Sequence, residues 1–494
     1  MKNNKLNIKL KPLFYLFFLL ISSFFVIINC NIQNIKHKTL ASFVSIGQIN
    51  DWLRLPKYLN DGRINGELLF LAAVNRLYVL DLNNLTIAHE AVTGPVLDSP
   101  FCNSELTSCI GSRDTIVETD NWSKLLLPLS DKNDKNINST KRINGILVCG
   151  SVRQGECQLR NFPTLERIRE HRSLSGNWQH VPVVANSPLA STAAILVGDR
   201  LFVASGISSE IPTDSPYREA FPAITTRLLS DGLQTVHSGS LDGEAAVHIR
   251  VEYRRHMQLR YLYAFRDQHF IYWLAVQPRN ANTGAALITR LIRVCLEDDR
   301  YTSYSELELQ CRSAEDNTLF AVARAGTFHS NKRELWAIFT DYEGQRSAIC
   351  AFTLNKIRMT FWYNIDRCRG GTDTIGLAYI GRDAKCTNRS HLPLSEDTCL
   401  IGVGGPIEAS APALAHFPGR ILNALDVADV DGHLLVIVGT EVGEVIQMKV
   451  IGERATRRLQ TYADYRVAAD PIDRITIIGE KQRFLISAGK EVIN

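Results

Sequence analysis

Short runs of aliphatic, aromatic and β-branched residues recur along the chain from about residue 45 to its last residue. The runs come in pairs around a short turn that contains glycine or a polar residue, as in AAILVGDRLFVASG and RITIIGEKQRFLISAG. Paired apolar runs of this length, separated by turn residues, predict antiparallel β-hairpins. Long stretches with a helical period are few. The pattern therefore predicts an all-β fold.

The hairpins continue through most of the 494 residues without a low-complexity linker between them. A single β-sandwich would be large at this length. Radial repetition of four-stranded sheets, as in a β-propeller, leaves only short strand edges and suits the length better. One segment differs, because residues 130–144 are polar and rich in lysine and asparagine. We interpret that segment as an exposed loop.

The first 30 residues have the pattern of a secretory signal peptide. Four lysines precede the apolar run LFYLFFLLISSFFVII at residues 13–28, and this order is typical of a cleaved leader. An uncleaved anchor is the alternative, but the run is short for a spanning helix. We expect a signal peptide at 1–30, a leader segment at 31–44 and one propeller domain at 45–494. The last blade of that domain is either complete or truncated. The chain as given is expected to be secreted.

Cysteine usage agrees with this compartment. Loss of the leader leaves an even number of cysteines, and an even set in an oxidising compartment predicts a disulfide framework. The ten cysteines are Cys102, Cys109, Cys149, Cys157, Cys295, Cys311, Cys350, Cys368, Cys386 and Cys399. Sequons for N-glycosylation point the same way. They begin at Asn84, Asn121, Asn138 and Asn388.

Signatures of catalysis and of cofactor or metal binding are absent from the sequence. It contains no G-x-x-x-x-G-K-[ST], no G-x-S-x-G, no H-E-x-x-H and no C-x-x-C. The stretch DVADVDG at residues 426–432 resembles a calcium loop, but EF-hand spacing puts Val427 and Val438 at the first and last ligand positions. We interpret it as a turn before a strand. We expect no enzyme activity, no cofactor and no metal, and a net charge of +4 gives no reason to expect a nucleic-acid partner.

The segment LVCGSVRQGECQLRN contains Cys149 and Cys157. The two cysteines could bind a metal, form a redox pair or form a structural disulfide across a hairpin. A zinc site needs two further ligands that the neighbourhood does not offer. Positions on the same face of a strand recur every two residues, and opposite Cβ atoms in a hairpin lie close to disulfide reach. We interpret the pair as a hairpin staple.

Several segments, in order over roughly residues 45–490, resemble the sema domain of plexins. They include VNRLYVLD, TGPVLDSPFC, LVCGSVRQGECQLRN, VCLEDDRYTSYSELELQC, SAICAFTLNKI and VGTEVGEVIQMKV. AITTRLL and the cysteine hairpin look most similar to class B plexins. The resemblance implies a seven-bladed β-propeller whose N-terminal strand closes the ring against the last blade. The disulfides it implies are Cys102–Cys109, Cys149–Cys157, Cys295–Cys399, Cys311–Cys350 and Cys368–Cys386.

The resemblance also implies a function. The sema domain of a plexin is a non-catalytic surface that binds semaphorin in guidance and adhesion signalling. An exposed aromatic residue beside arginine is typical of an interface anchor, so we expect ligand contacts at residues 215–221 and at residue 227. The named candidates are Tyr217, Arg218, Phe221 and Arg227.

Two other functions stay open at this point. A semaphorin-like ligand would have the same fold, and a secreted glycan-processing propeller would need acidic residues that converge on its central channel. A homodimer or a co-receptor is open as a further partner. Full-length plexins are single-pass plasma-membrane receptors with a cytoplasmic GTPase-activating region, and we attribute no intracellular activity to this chain. We expect either a fragment or a secreted form that acts as a decoy.

Overall fold

The computed structural model describes residues 39–59, 63–130, 143–171, 182–207, 221–237, 243–389, 395, 398–453, 456–478 and 483–494. The strands belong to one unit, Ala41–Asn494. Within the described residues, they form seven blades and one extra hairpin, β6–β7.

The first strand of the chain, β1 (Ser42–Val44), belongs to the last blade. Blade 1 consists of β2 (Ile49–Tyr58), β3 (Ile64–Ala73), β4 (Arg76–Asp81) and β5 (Ile87–Val92). The extra hairpin between blades 1 and 2 consists of β6 (Val96–Asp98) and β7 (Val117–Thr119). Blade 2 consists of β8 (Ser123–Ser130), β9 (Ile143–Gly150), β10 (Cys157–Asn161) and β11 (Arg167–His171).

Blade 3 consists of β12 (Thr192–Val197), β13 (Arg200–Ser205), β14 (Ile224–Leu228), β15 (Gln234–Thr235) and β16 (Ala246–Val247). Blade 4 consists of β17 (Arg260–Asp267), β18 (Phe270–Pro278), β19 (Leu287–Cys295) and β20 (Ser305–Arg312), with β21 (Leu319–Phe320) beside β20. Blade 5 consists of β22 (Val322–His329), β23 (Glu334–Thr340), β24 (Arg346–Thr353) and β25 (Ala409–Pro418).

Blade 6 consists of β26 (Leu422–Val430), β27 (His433–Thr440), β28 (Glu444–Ile451) and β29 (Arg458–Arg466). Blade 7 consists of β30 (Ile472–Ile478), β31 (Arg483–Ala488), β32 (Glu491–Ile493) and β1. In the part of the chain that the structure describes, the helices are α1 (Leu354–Arg369) and three 3₁₀ turns, Arg113–Thr115, Val251–Tyr253 and Ala378–Ile380. The predicted all-β, seven-bladed propeller is confirmed.

The second strand of each blade explains why the apolar runs in the sequence are nearly continuous. In β18, with the sequence FIYWLAVQP, every residue is buried, and the same holds for ELWAIFT in β23. A strand in the middle of a blade has both of its faces covered by the neighbouring blades, so it reads as an apolar run rather than as an alternating pattern. The core therefore consists of layers between blades.

Pairing between the two ends of the described chain closes the ring. Ser42 lies opposite Ile493 in an antiparallel pair, and β32 continues from there into the rest of blade 7. The side-chain amide of Asn494 then donates to the carbonyl oxygen of Leu82 in blade 1, at 2.8 Å. The expected closure by the N-terminal strand is confirmed, and blade 7 has four strands.

Blades 4 and 5 are joined more tightly than the other neighbours. Their outer strands β20 and β25 pair in parallel, with Leu309 opposite Ala409, so that the two blades form one nine-stranded sheet. Residues 354–408, which include α1, lie between β24 and β25 and are called the insertion below. The sheet and the insertion together form the most heavily cross-linked part of the described structure.

Five disulfides are present in the described residues, and their pairs are those that the plexin resemblance implied. The bonded pairs are Cys102–Cys109, Cys149–Cys157, Cys295–Cys399, Cys311–Cys350 and Cys368–Cys386. Cys149 and Cys157 lie directly opposite each other on β9 and β10. That pair is a staple across a hairpin.

The turns between the third and fourth strands repeat in blades 1 to 3, although the sequence shows no strong internal repeat. Each turn places a buried leucine, Leu85, Leu165 or Leu233, at a positive φ of 54°, 63° or 67°. This backbone conformation is unfavourable for a leucine, so the apolar contacts of the side chain must offset the strain. The repeat lies in the backbone, and the surrounding residue types differ.

Ring closure can be tested at Phe43, whose ring packs edge-on against Tyr78 of blade 1 with 5.1 Å between the centroids. We expect Phe43→Ala to lower the free energy of unfolding by about 1–3 kcal/mol, because the half-buried ring leaves a void at the closing strand. Val44→Ala is the matched control, since Val44 is 66% exposed on the same strand. Denaturant unfolding of both variants measures the effect, and equal losses would contradict this role of β1.

Candidate ligand-binding surface

The aromatic residue expected to contact a ligand is buried at the junction of blades 3 and 4. Phe221 is only 4% exposed and belongs to a core cluster with Phe202 of blade 3 and Trp273 of blade 4. A side chain covered in this way presents no surface to a protein ligand, so Phe221 is corrected to a core residue. Tyr217 and Arg218 lie outside the described residues.

Arg227 is also buried, at 2% exposure, and its guanidinium donates three hydrogen bonds within the protein. Nη1 donates to the carbonyl oxygen of Leu233 at 2.9 Å, Nη2 to that of Pro182 at 2.8 Å, and Nε to Thr225 Oγ1 at 3.1 Å. Burial lowers the pKa of Arg227 to about 10. The expectation that Arg227 contacts a ligand is therefore corrected, because the side chain holds strand and turn together.

Arg160 has the same role in blade 2. It is buried on β10, and its Nη1 donates to the carbonyl oxygen of Leu165 at 2.8 Å. In both blades the arginine of the third strand binds the carbonyl group of the leucine with positive φ. An arginine five or six residues before a turn leucine is the only signal of this role in the sequence. That signal is too weak to have predicted the buried arginine.

The first strands of the seven blades line a central channel of about 790 Å³. This is where acidic residues would have to converge if the protein were a propeller enzyme. The charged side chains that line the channel are Asp51, Lys124, Arg324, Asp426, Asp473 and Arg474.

Each carboxylate of the channel is engaged by its neighbours. Asp51 forms an ion pair with Arg474 across blades 7 and 1. Asp426 accepts the backbone N–H of Ile477 at 2.8 Å, and Asp473 accepts that of Gly489 at 3.1 Å. Burial raises the pKa of both Asp426 and Asp473. Asp51 thus connects blade 1 to blade 7, Asp426 connects blade 6 to blade 7, and Asp473 holds the turn between β31 and β32 of its own blade.

Lys124 lies at the start of β8 and connects blade 2 to the segment that leads into blade 3. Its Nζ donates to the carbonyl oxygens of Pro188 at 2.7 Å and Ala190 at 3.0 Å. Burial lowers the pKa of Lys124 to about 8. The ammonium group is thus partly desolvated and held by two neutral acceptors rather than by a carboxylate.

The DVADVDG stretch forms the turn that we predicted. Asp431 and Gly432 connect β26 to β27 with positive φ angles of 48° and 77°, which is the geometry of a two-residue hairpin turn. Asp429 accepts a bond from Asn331 at 3.3 Å and faces Nε2 of His329 at 3.2 Å. These aspartates serve the hairpin and its contact with blade 5.

A buried polar cluster fixes the insertion to blade 4. The carboxylate of Glu306 on β20 accepts the hydroxyl of Tyr304 at 2.7 Å, the hydroxyl of Tyr379 and the side-chain amide of Gln277 at 3.1 Å. Tyr379 belongs to the insertion, and the other two residues belong to blade 4. Burial raises the pKa of both tyrosine hydroxyls, which therefore stay protonated as donors.

The glycine-rich stretch at 402–406 serves the same attachment. A Cβ atom on Gly402 would overlap the carbonyl oxygen of Tyr304, and one on Gly404 would lie 2.6 Å from that of Gly376. Glycine thus allows the returning chain to lie directly against β20. On the outside, the insertion exposes Tyr363 and Leu400, and the ring of Trp362 meets Tyr363 edge-on at 5.0 Å.

The four sequons differ in their surroundings. Asn84 and Asn388 are exposed, and Asn138 lies outside the described residues. Asn121 is only 9% exposed, and its Nδ2 donates to the carbonyl oxygen of Thr93 at 3.0 Å. Because a glycan is attached at Nδ2, a buried and hydrogen-bonded amide is unsuited to carry one. The expectation of glycosylation at Asn121 is therefore corrected.

Comparison with known proteins agrees with this architecture. A family model described as the Sema domain matches residues 318–478. Plexin-2 of Caenorhabditis elegans is 37% identical over 397 residues, which are 80% of this chain and 20% of that protein. The extracellular region of Plexin A4 has the same fold, with a TM-score of 0.76 at 19% identity over 92% of this chain and 47% of that one.

A third match is to a chain of the solved complex of Drosophila Plexin A with Semaphorin 1b. Its TM-score is 0.60 at 16% identity, over 92% of this chain and 86% of that one. In sequence and in fold, the chain is therefore similar to plexin extracellular regions over most of its own length. It spans about a fifth of the length of the curated plexins that it matches.

The comparisons confirm the resemblance to plexins, but they do not support the expected similarity to one plexin class. The matched relatives carry the names Plexin-2 and Plexin-A2, so the expected similarity to class B has no support. Within the described residues, none of the helices has the length and apolar character that a membrane span requires.

The attachment of the insertion gives a test of stability. We expect Glu306→Ala to lower the free energy of unfolding by about 2–5 kcal/mol, because two buried hydroxyls and an amide lose their acceptor. Glu315→Ala is the control at an 80% exposed carboxylate near the same strand, and a change below about 0.5 kcal/mol is expected there. Equal effects in thermal or denaturant unfolding would show that the buried cluster does not hold the insertion.

Lys124 gives a test that depends on pH. Its pKa is about 8 in the folded protein against 10.5 for an ordinary lysine, so between these values the unfolded chain binds more protons. Wild-type stability should therefore rise with pH across this window, and Lys124→Met should remove that rise. The exposed Lys449 provides a control as Lys449→Met. If the difference between wild type and Lys124→Met stays constant from about pH 8 to about pH 10, the burial of this ammonium group is refuted.

Proposed function

We propose that this chain is the extracellular ligand-recognition domain of a plexin-like receptor and that its ligand is a semaphorin. The observation that carries the proposal is the match to Plexin-2 over 80% of the chain. The fold also occurs in the solved complex of Drosophila Plexin A with Semaphorin 1b. Recognition would be non-catalytic and would serve semaphorin–plexin signalling.

The central channel supports a binding function over a catalytic one. Each of its described carboxylates is engaged by a neighbouring strand or turn, as the ion pair of Asp51 with Arg474 illustrates. Catalysis by paired carboxylic acids needs one group kept free as a nucleophile or base. The glycan-processing alternative therefore has no observation in its favour.

A semaphorin-like ligand remains the second candidate, because plexins and semaphorins share this fold. Drosophila Semaphorin 1a gives a TM-score of 0.59 at 16% identity over 92% of this chain. Such a likeness speaks for the fold only. The curated relatives at higher identity are plexins, which is why we favour the receptor.

We place the proposed contacts on the loop between β13 and β14. Tyr217 and Arg218 stand in it, and exposed aromatic and arginine side chains are common anchors of protein interfaces. The support for this placement is that the loop starts and ends on well-fixed strands, since Phe221 at its end and Arg227 on β14 are buried. Fixed loop ends reduce the entropy that a binding surface loses on contact with its ligand.

The cellular context of the proposal follows from the chain's own features. A signal peptide at residues 1–30 would direct the domain at residues 45–494 into the secretory pathway, where the five disulfides can form. The exposed Asn84 and Asn388, together with Asn138, are the proposed glycosylation sites. A homodimer or a co-receptor would be a further partner of the receptor.

Binding to purified semaphorin ectodomains tests the function directly. We expect the immobilised, folded chain to bind at least one member of a panel, and Tyr217→Ala with Arg218→Glu to weaken that binding about tenfold or more. The matched control is Tyr363→Ala with Arg367→Glu on α1, which changes the same residue types at exposed positions. No binding by any semaphorin would contradict the function, whereas loss only in the control pair would move the contact to the insertion.

A further inference from the structure

The outer strands of the propeller differ in how they are protected against pairing with another chain. A free strand edge is a template for further strands, and proteins protect such edges by charge, by shortness or by a cover. In blades 4 and 5 the outer strands cover each other, because β20 pairs with β25. In blades 3 and 7 the outer strands are short, two residues in β15 and three in β1.

Charge protects two of the remaining edges, which are β11 of blade 2 and β29 of blade 6. Lysine or arginine on an edge strand disfavours its pairing with a second copy, since like charges would meet. Arg167 supplies such a charge on β11, and Arg458 and Arg466 supply it at the two ends of β29.

Among the described residues, none of these forms of protection extends along most of the edge of blade 1. β5 has the sequence IAHEAV and is the last strand of its sheet. Ile87 is 51% exposed and Val92 is 60% exposed. The single carboxylate, Glu90, is paired with Arg76 of the neighbouring strand at 2.5 Å. A bulge at Ala88 interrupts the edge near its start, and residues 89–92 continue regularly.

The sequon Asn84-Leu85-Thr86 lies in the turn directly before this edge. The side-chain oxygen of Asn84 accepts the backbone N–H of Thr86 at 3.1 Å and its hydroxyl at 2.8 Å. These bonds hold the side-chain carbonyl of an exposed asparagine toward the protein, and no hydrogen bond in the described residues engages its Nδ2. The geometry is the reverse of that at Asn121, whose Nδ2 is buried and bonded.

We propose that an N-linked glycan on Asn84 covers the edge of β5 and prevents a second copy of the chain from pairing with it. Asn84 precedes the strand by three residues, and six residues of strand extend over about 20 Å. A bulky, hydrated oligosaccharide attached at that end occupies the space that an added strand would need. The glycan thus supplies the cover that charge or shortness supplies in the other blades.

This inference rests on the secretory location in the proposed function, but different experimental results refute the inference and the proposed function. Semaphorin binding concerns other loops, so a chain that binds semaphorin and carries no glycan on Asn84 would overturn only the present inference. A chain glycosylated on Asn84 that binds no semaphorin would overturn only the proposed function.

The test compares the secreted, glycosylated chain with Asn84→Gln, and Asn388→Gln serves as the matched control at another exposed sequon. Peptide mapping by mass spectrometry should find a glycan on Asn84. In sedimentation over a series of concentrations, Asn84→Gln should self-associate at a concentration at least tenfold lower than wild type, whereas Asn388→Gln should behave as wild type does. Adding Val92→Lys to Asn84→Gln should restore the monomer.

A second route avoids variants that fail to fold. The folded wild-type protein is trimmed with an endoglycosidase that leaves one sugar at each site, and its association is measured again. An unmodified Asn84, or equal association of the trimmed and untrimmed proteins, would overturn the inference. Association of Asn84→Gln that Val92→Lys does not reverse would show that β5 is not the surface involved, which would overturn it as well.

Discussion

A ring of sheets holds together only if its first and last sheets are joined, and here the chain makes that joint with its own ends. β1 completes blade 7 by pairing with β32, and Asn494 bonds to Leu82 of blade 1. Each blade then has a neighbour on both sides, which is why the second strands are buried on both faces. The closed ring also fixes the first strands around the channel, where Asp51 and Arg474 bridge the same joint.

The surface that such a ring offers to a ligand is rigid, and that rigidity is reinforced on one side. The pairing of β20 with β25 turns blades 4 and 5 into one sheet, and the buried carboxylate of Glu306 holds the insertion against it. Each oxygen of that carboxylate accepts at least one hydrogen bond, as a buried charge requires. A scaffold of this kind would suit the proposed receptor function, because it fixes the strands from which the binding loops start.

The hairpins could be predicted well from the sequence, because strand periodicity is a local property. AAILVGDRLFVASG forms β12 and β13 with its turn at Gly198, and the cysteine segment forms β9 and β10. Burial of single polar or loop residues was not predictable in the same way. Arg227 and Asn121 are buried by the turns and segments that fold over them, and Phe221 is buried by the neighbouring blade.

The helix α1 and the attachment of the insertion escaped prediction for a related reason. The stretch LNKIRMTFWYNIDRCR mixes apolar and basic residues, and its buried side rests on blade 4, where Phe361 lies under the guanidinium of Arg293 at 4.4 Å. Such contacts depend on the packing of distant segments. The cluster around Glu306 likewise unites residues 73 positions apart in the chain.

A structural channel and a ligand-binding outer surface respond differently when a ligand binds. Hydrogen–deuterium exchange of the chain, alone and saturated with a semaphorin ectodomain that binds it, separates the two. We predict slower exchange in surface loops on ligand binding and unchanged exchange in the strands that line the channel. Slower exchange confined to the channel strands β2, β8, β12, β17, β22, β26 and β30 would contradict a ligand-binding outer surface.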